Sequence, residues 1–253
     1  MAHDKLAIRT IQISLFVALF GAWYIATRTG GTLRLFLPAP ELVWREMLGL
    51  VESGRLWSAF YVTIVTIAQA YALAVIAGIG IGFLIARSRT LVHLFEPVLS
   101  GMFAIPLTMF FPLFVLFFGI GPESKVAYAG VYAFFPIALN TIAAFSNVDE
   151  IYLRASRAMG ASGWQQFRYV YLPAALPVTL TGLRIGFFIC IASVLGGETL
   201  AATAGVGRAT ALAAELMETA RLYAWIAFVV CMSVMLNLLV LAAETRSERE
   251  KGA

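Results

Sequence analysis

Long apolar runs separated by short polar intervals dominate the chain. Six of them approach or exceed the about 20 residues that a helix needs to cross a hydrocarbon layer about 30 Å thick. They cover 8–27, 57–86, 97–119, 126–146, 174–196 and 224–243. The pattern predicts an all-α membrane fold with six transmembrane helices, a single domain over 1–253 with its core spans at about 57–245. An even count places both termini on one side. Pro106, Pro112 and Pro136 interrupt the third and fourth runs, and the carbonyls they free either line a cavity or accompany kinks that serve packing. Gly78 with Gly82, and Gly182 with Gly186, have the small-xxx-small spacing that lets helices approach closely. Two readings stay open for these faces, packing within the chain or a seam between two copies. The first run is followed by no small-x-small cleavage site before Arg28, so it is expected to stay as an uncleaved anchor. After the extended Leu37-Pro38-Ala39-Pro40, residues 41–54 set Leu42, Met47, Leu50 and Val51 against Arg45, Glu46 and Glu52, the periodicity of a helix lying on the membrane surface.

The interval 147–173 breaks the apolar pattern most strongly. Asn147 with Glu150, and Ser162 with Gln165, have the spacing of a capping box, so each pair predicts a helix start. Gly160 lies between them where a left-handed residue closes a helix, and Pro173 is expected to stop the second segment. A helix, a tight turn and a helix result. Ile151, Leu153, Ala155 and Met159 supply apolar contacts while Arg154, Arg157 and Arg168 supply charge, so the unit leaves the bilayer with a face able to dock.

Composition confirms the class, since 61% of residues are hydrophobic and only 13% charged, more apolar surface than one soluble core needs. The side holding the termini carries Lys5, Arg9, Arg87, Arg89, Arg154, Arg157, Arg168, Arg246, Arg249 and Lys251. The other carries Arg28, Arg34, Arg45, Arg55, Lys125, Arg208 and Arg221. The bias places the termini in the cytoplasm. A net charge of +4 is ordinary for such an excess and gives no reason to expect nucleic acid. Cys190 and Cys231 sit inside apolar runs and read as packing cysteines, and neither His3 nor His93 has metal-ligand company. No G-x-x-x-x-G-K-[ST] loop is present, so the chain does not bind ATP by that device. A membrane enzyme would want clustered carboxylates or a nucleophile with a base, and the adjacent Asp149 and Glu150 fit helix capping instead. Polar groups within spans usually face a bundle interior or a water-filled path. They are Gln69, Thr108, Asn140, Arg184, Ser193, Glu198 and Asn237; the first six are candidates for a substrate pathway. Arg184 reads either as an anion partner or as a structural cation, and Glu198 as a solvated end-cap or a gating residue.

The stretch Arg154-Ala155-Ser156-Arg157-Ala158-Met159-Gly160, followed after nine residues by Val170-Tyr171-Leu172-Pro173, resembles the EAA motif of ABC-transporter permease subunits. Arg154 stands where that motif has Glu. The ordered series Leu37-Pro38-Ala39-Pro40, Gly78-Ile79-Gly80-Ile81-Gly82, Phe118-Gly119-Ile120-Gly121 and Gly205-Val206-Gly207 is similar to the nitrate, sulfonate, taurine and bicarbonate importers of that family. The resemblance implies a type I ABC importer permease-like fold with a cytoplasmic coupling helix in the loop 147–172. Its coupling residues would be Asn147, Asp149, Glu150, Arg154, Ala155, Ser156, Arg157, Met159, Gly160, Ala161, Ser162, Leu172 and Pro173. It further implies a homodimeric pore in the bacterial inner membrane, a cytoplasmic ATPase dimer that binds ATP and Mg, and a periplasmic or lipid-anchored solute-binding protein. No cofactor, metal or catalytic residue belongs to this chain in that reading, and the cargo is a small anion of the nitrate, sulfonate or taurine class. The alternative is a secondary-active transporter of a small solute, which would want ion-coupling groups at mid-membrane and often two repeated halves.

Overall fold

The computed structural model describes residues 2–29 and 36–249; Arg34 and Lys251, counted above for orientation, lie outside them. Every regular element among the described residues is helical. Among the described residues, four helical runs are long and apolar enough to cross a membrane: Arg55–Ala86, Pro122–Ser146, Gly163–Leu200 and Thr219–Leu238. A fifth exists if the pair Arg89–Ala104 and Leu107–Phe118, bent by 76°, is one span. The sequence pattern predicts six, and its first run lies within the helix α1, Ala2–Thr29.

The bend falls inside the third expected run and has a local cause. Pro106 disfavours helical geometry at the residue before it, and Ile105 is extended with ψ 131°. The chain then restarts as a short 3-10 turn, Leu107–Phe110, and the helix Phe111–Phe118.

By its contacts the chain divides into two compact units, Met1–Ser58 with Ala209–Met232, and Ala59–Arg208 with Ser233–Ala253. In the first, the expected surface helix forms as α2, Pro40–Glu52, burying Val43 and Leu50. The Trp23 indole N–H donates to the Pro38 carbonyl at 3.0 Å, and Trp23 stacks on Tyr223. Arg221 bridges Glu46, at 3.1 Å, and Glu218.

The second unit is organised around the helix Pro122–Ser146. Lipid tails are as apolar as side chains, so close van der Waals contact has to hold spans together there. Both glycine pairs provide it. A Cβ built on Gly78 would lie 2.7 Å from Ile137 Cγ2, and one on Gly186 would lie 2.6 Å from Ile137 Cγ1. Gly82 closes on Ala138 and Thr141, and Gly182 on Asn140, whose Cβ would be 2.5 Å from the added atom. Ile137, with no exposed surface, is therefore gripped from both sides. Of the two readings open for these glycines, the structure gives packing within the chain. The cluster continues through Ile67, Ala70, Ala74, Ala133, Cys190 and Val194, all buried. Two hydroxyls in these helices are satisfied on their own backbone, Thr141 on the Ile137 carbonyl at 2.7 Å and Thr179 on the Ala175 carbonyl at 2.9 Å.

Gly186→Val should overpack this seam and destabilise the folded chain by about 1–3 kcal/mol, with part of the loss recovered when Ile137→Ala is added, because the two sites share one contact. Gly80, whose Cβ position meets nothing within 4 Å, should accept Ala with no loss of stability. Unfolding of the purified chain in detergent, followed by circular dichroism, checks both.

Candidate functional site

The polar interval folds as a helix, a left-handed turn and a second helix. The first helix, Glu150–Ala158, is capped by Asp149, whose carboxylate accepts the Ile151 N–H at 2.8 Å. Capping-box spacing predicts that cap at Asn147; Asn147 instead ends the preceding helix, its N–H donating to the Ala143 carbonyl. Only Asp149 has the extended backbone, φ −60° and ψ 126°, that a cap requires. Gly160 follows at φ +77°, a conformation that costs a residue with a Cβ. It allows the Gly160 N–H to reach the Arg157 carbonyl and the Ala161 N–H to reach the Ser156 carbonyl, both at 3.0 Å. Those two bonds are a Schellman closure. Ser162 and Gln165 then form the expected capping box, at 3.3 and 2.8 Å.

Pro173 does not end the second segment. Gly163–Gln166 passes through a π turn, Phe167–Tyr171, into the long helix Leu172–Leu200. Proline clashes with the carbonyl four residues back in an α-helix, and that residue, Tyr169, lies within the wider π turn.

Three sets of contacts not foreseen from spacing fix the unit. The Gln166 amide donates to the Leu153 carbonyl at 3.0 Å and to Ser156 Oγ at 2.9 Å, tying the two helices together. Glu150 receives Arg154 at 2.7 Å and, from the helix Arg89–Ala104, Arg89 at 2.8 Å. These pairs hold the Glu150 carboxyl below its ordinary range, the Arg154 hydrogen bond and charge first and Arg89 next. With the folded value depressed, the stabilisation they give is present above the ordinary glutamate value and lost as pH falls through the folded one. An aromatic cluster completes the seat: Phe83 meets Phe145 edge-on at 5.0 Å and Phe167 at 5.7 Å, and Trp164 stacks on Phe167 at 5.8 Å. Helical spacing hides such a cluster, because its members come from three different spans' ends.

The first helix is two-faced. Ile151, Tyr152 and Met159 are 70, 63 and 81% exposed, and Ala155 lies among them on the same side. Glu150, Leu153, Arg154 and Arg157 turn the other way, into a cleft of about 1330 Å³ that Arg87, Arg89 and His93 also line. Ser156 is buried between the faces.

The in-span polar candidates occupy different surroundings. Gln69 is exposed midway along Arg55–Ala86, and Thr108 is exposed in the turn of the bent pair. Asn140 is half-buried and donates to the Pro136 carbonyl at 2.8 Å; Arg184 is half-buried, and Ser193 is buried with a hydrogen bond to Tyr128. The Asn237 side-chain carbonyl is buried without a hydrogen bond.

Glu198 is not solvated, being only 2% exposed. Thr63 donates to its carboxylate at 2.9 Å, and the Gly207 N–H donates to Oε2 at 2.8 Å. The Val206 N–H in turn donates to Thr63 at 2.8 Å, so Glu198 and Thr63 together cap the helix Val206–Glu215. The left-handed Gly205 makes the fold-back possible: a Cβ there would lie 2.4 Å from the carboxyl group. Lys125, expected in an outer loop, is likewise buried, its ammonium donating to the carbonyls of Ile120 at 2.6 Å and Gly121 at 3.0 Å. Among the described residues no group of His, Cys, Asp and Glu could hold a metal ion.

Comparison with known proteins agrees with this architecture. Residues 78–251 match a family model described as the binding-protein-dependent transport system inner membrane component. The taurine transport system permease protein TauC of Escherichia coli is 30% identical over 94% of this chain and 88% of its own length. The riboflavin transport system permease protein RibX of Chloroflexus aurantiacus is 32% identical, covering 87% and 81%. The formylaminopyrimidine transport permease protein ThiX of Halalkalibacterium halodurans is 32% identical over 76% of each. A solved structure of the MetNI methionine ABC transporter in an inward-facing conformation shares the fold, with a TM-score of 0.61, 22% identity, and coverage of 77% of this chain and 94% of that one. The chain belongs to the binding-protein-dependent inner membrane components, the permease subunits of ABC transporters.

Proposed function

We propose that this chain is the pore subunit of an ATP-driven importer, and that the helix Glu150–Ala158 is the part a separate ATPase grips. The observation that carries the reading is the exposed apolar face of Ile151, Tyr152, Ala155 and Met159 on an otherwise polar unit. A contiguous exposed apolar face rimmed by charged residues marks a surface that a partner covers. The unit is also a rigid lever: capped at both ends, tied by Gln166, and continuous through the π turn with a helix running to Leu200. Force applied to it passes into that helix, and through the Ile137 seam to the rest of its unit. In this reading two copies with six spans each form the pathway in the bacterial inner membrane, with both termini cytoplasmic. ATP and Mg sit on the partner, and a solute-binding protein delivers cargo from outside. Gln69, Thr108, Asn140, Arg184, Ser193 and Glu198 remain the proposed pathway set, Gln69 and Thr108 being the exposed members.

The cargo we assign is a small anion of the sulfonate or taurine class, a reading that the name of the taurine relative supports. A flat heterocycle is the second reading, which the riboflavin and formylaminopyrimidine relatives favour.

Ile151→Asp and Met159→Asp each place a charge in the proposed interface without touching a buried contact. Each should weaken ATPase association about tenfold to a hundredfold while the chain still folds. Co-purification and cargo-stimulated ATP hydrolysis in lipid read this; unchanged association contradicts it. In cells carrying the complete system, excess taurine or an alkanesulfonate should compete uptake of labelled taurine. Competition by riboflavin alone would overturn the cargo assignment in favour of the second reading.

A further inference from the structure

The cleft behind the docking helix lies where three membrane runs end: Arg55–Ala86 closes there, Pro122–Ser146 closes there, and Gly163–Leu200 begins there. The ends of membrane-crossing runs lie at or beyond the headgroup layer, within reach of lipid phosphates. Four guanidiniums, Arg87, Arg89, Arg154 and Arg157, face only two carboxylates, Glu96 and Glu150. Glu150 is already engaged by Arg89 and Arg154. The Arg87 and Arg157 side chains make no hydrogen bond or salt bridge among the described residues, although both line the cleft and the Arg157 charge acts on the Glu150 carboxylate. Trp164, 72% exposed, lines the same cleft and has the amphipathic ring that settles at headgroup level. Two guanidiniums whose N–H donors are unused offer planar, paired donors, the geometry that fits a phosphate oxygen pair.

We propose that this cleft binds the phosphate of an anionic phospholipid headgroup, with Arg87 and Arg157 as its ligands and the acyl chains lying along the neighbouring span ends. The cleft occupies the face of Glu150–Ala158 opposite Ile151, Tyr152 and Met159. Lipid and ATPase therefore use different sides of one helix. The inference needs the membrane spans and the cleft, and stands whether or not the docking assignment does.

The test is native mass spectrometry of the purified full chain titrated with phosphatidylglycerol, phosphatidylcholine or glycerol 3-phosphate. Phosphatidylglycerol should bind in preference to phosphatidylcholine. Removing two surface cations, in R87Q/R157Q, should weaken it about thirtyfold. R87K/R157K should keep most of the affinity, and I151A/M159A all of it. Equal binding of the two lipids, or native affinity in R87Q/R157Q, overturns the proposal. Displacement by glycerol 3-phosphate at matched concentration overturns the lipid source in favour of a soluble phosphate. If R87Q/R157Q does not fold, quenching by phosphatidylglycerol with brominated chains decides. The native chain should be quenched more than W164F, and equal quenching of the two overturns the site.

Discussion

The contact of Ile137 with Gly78 on one side and Gly186 on the other is what the larger unit rests on. Hydrocarbon surroundings remove most of the hydrophobic reason for helices to associate, so attraction comes from many weak contacts at short range. Only residues without a Cβ let the helix Pro122–Ser146 approach both of its neighbours that closely. The consequence reaches well beyond the seam. With these three helices drawn together, Phe83, Phe145 and Phe167 meet at their ends. That aromatic cluster seats the polar unit, and Arg89 reaching Glu150 adds a tie from a fourth helix.

At another point in the same unit a different constraint operates. Glu198 and Lys125 are both buried, and a buried charge without partners is costly. The fold answers with directed hydrogen bonds: Thr63 and Gly207 for the carboxylate, the Ile120 and Gly121 carbonyls for the ammonium. Gly205 and Gly207 are there because the backbone has to pass within van der Waals distance of Glu198. The same arrangement caps the helix Val206–Glu215, so one carboxylate serves both burial and helix start.

Much of this was legible from residue order, and the failures have physical causes. Four of the six expected spans followed from apolar length, the third bends at Pro106, and the turn at Gly160 followed from its place between two capping signals. The cap at Asp149 was missed because Asn147 offered an equally good side chain at capping-box spacing, and only the backbone dihedrals decide between them. Pro173 read as a stop because an α-helix cannot hold it easily, whereas a π turn just before it can. Glu198 and Lys125 looked exposed since charges usually are; the burial of Glu198 depends on Thr63, more than a hundred residues away along the chain, which no local pattern reveals. Ala155 and Met159 were marked as coupling residues together with Arg154 and Arg157. The structure separates them onto opposite faces, and the charged face belongs to a cleft.

The central claim is that the apolar face of Glu150–Ala158 is the surface an ATPase covers. A photo-crosslinking amino acid placed at Ala155 in the assembled transporter tests it most directly, with the same group at Arg87 as the comparison. Capture of the ATPase from Ala155 and not from Arg87 is the predicted result. Capture from Arg87 with none from Ala155 would contradict the account and move the docking surface to the cleft.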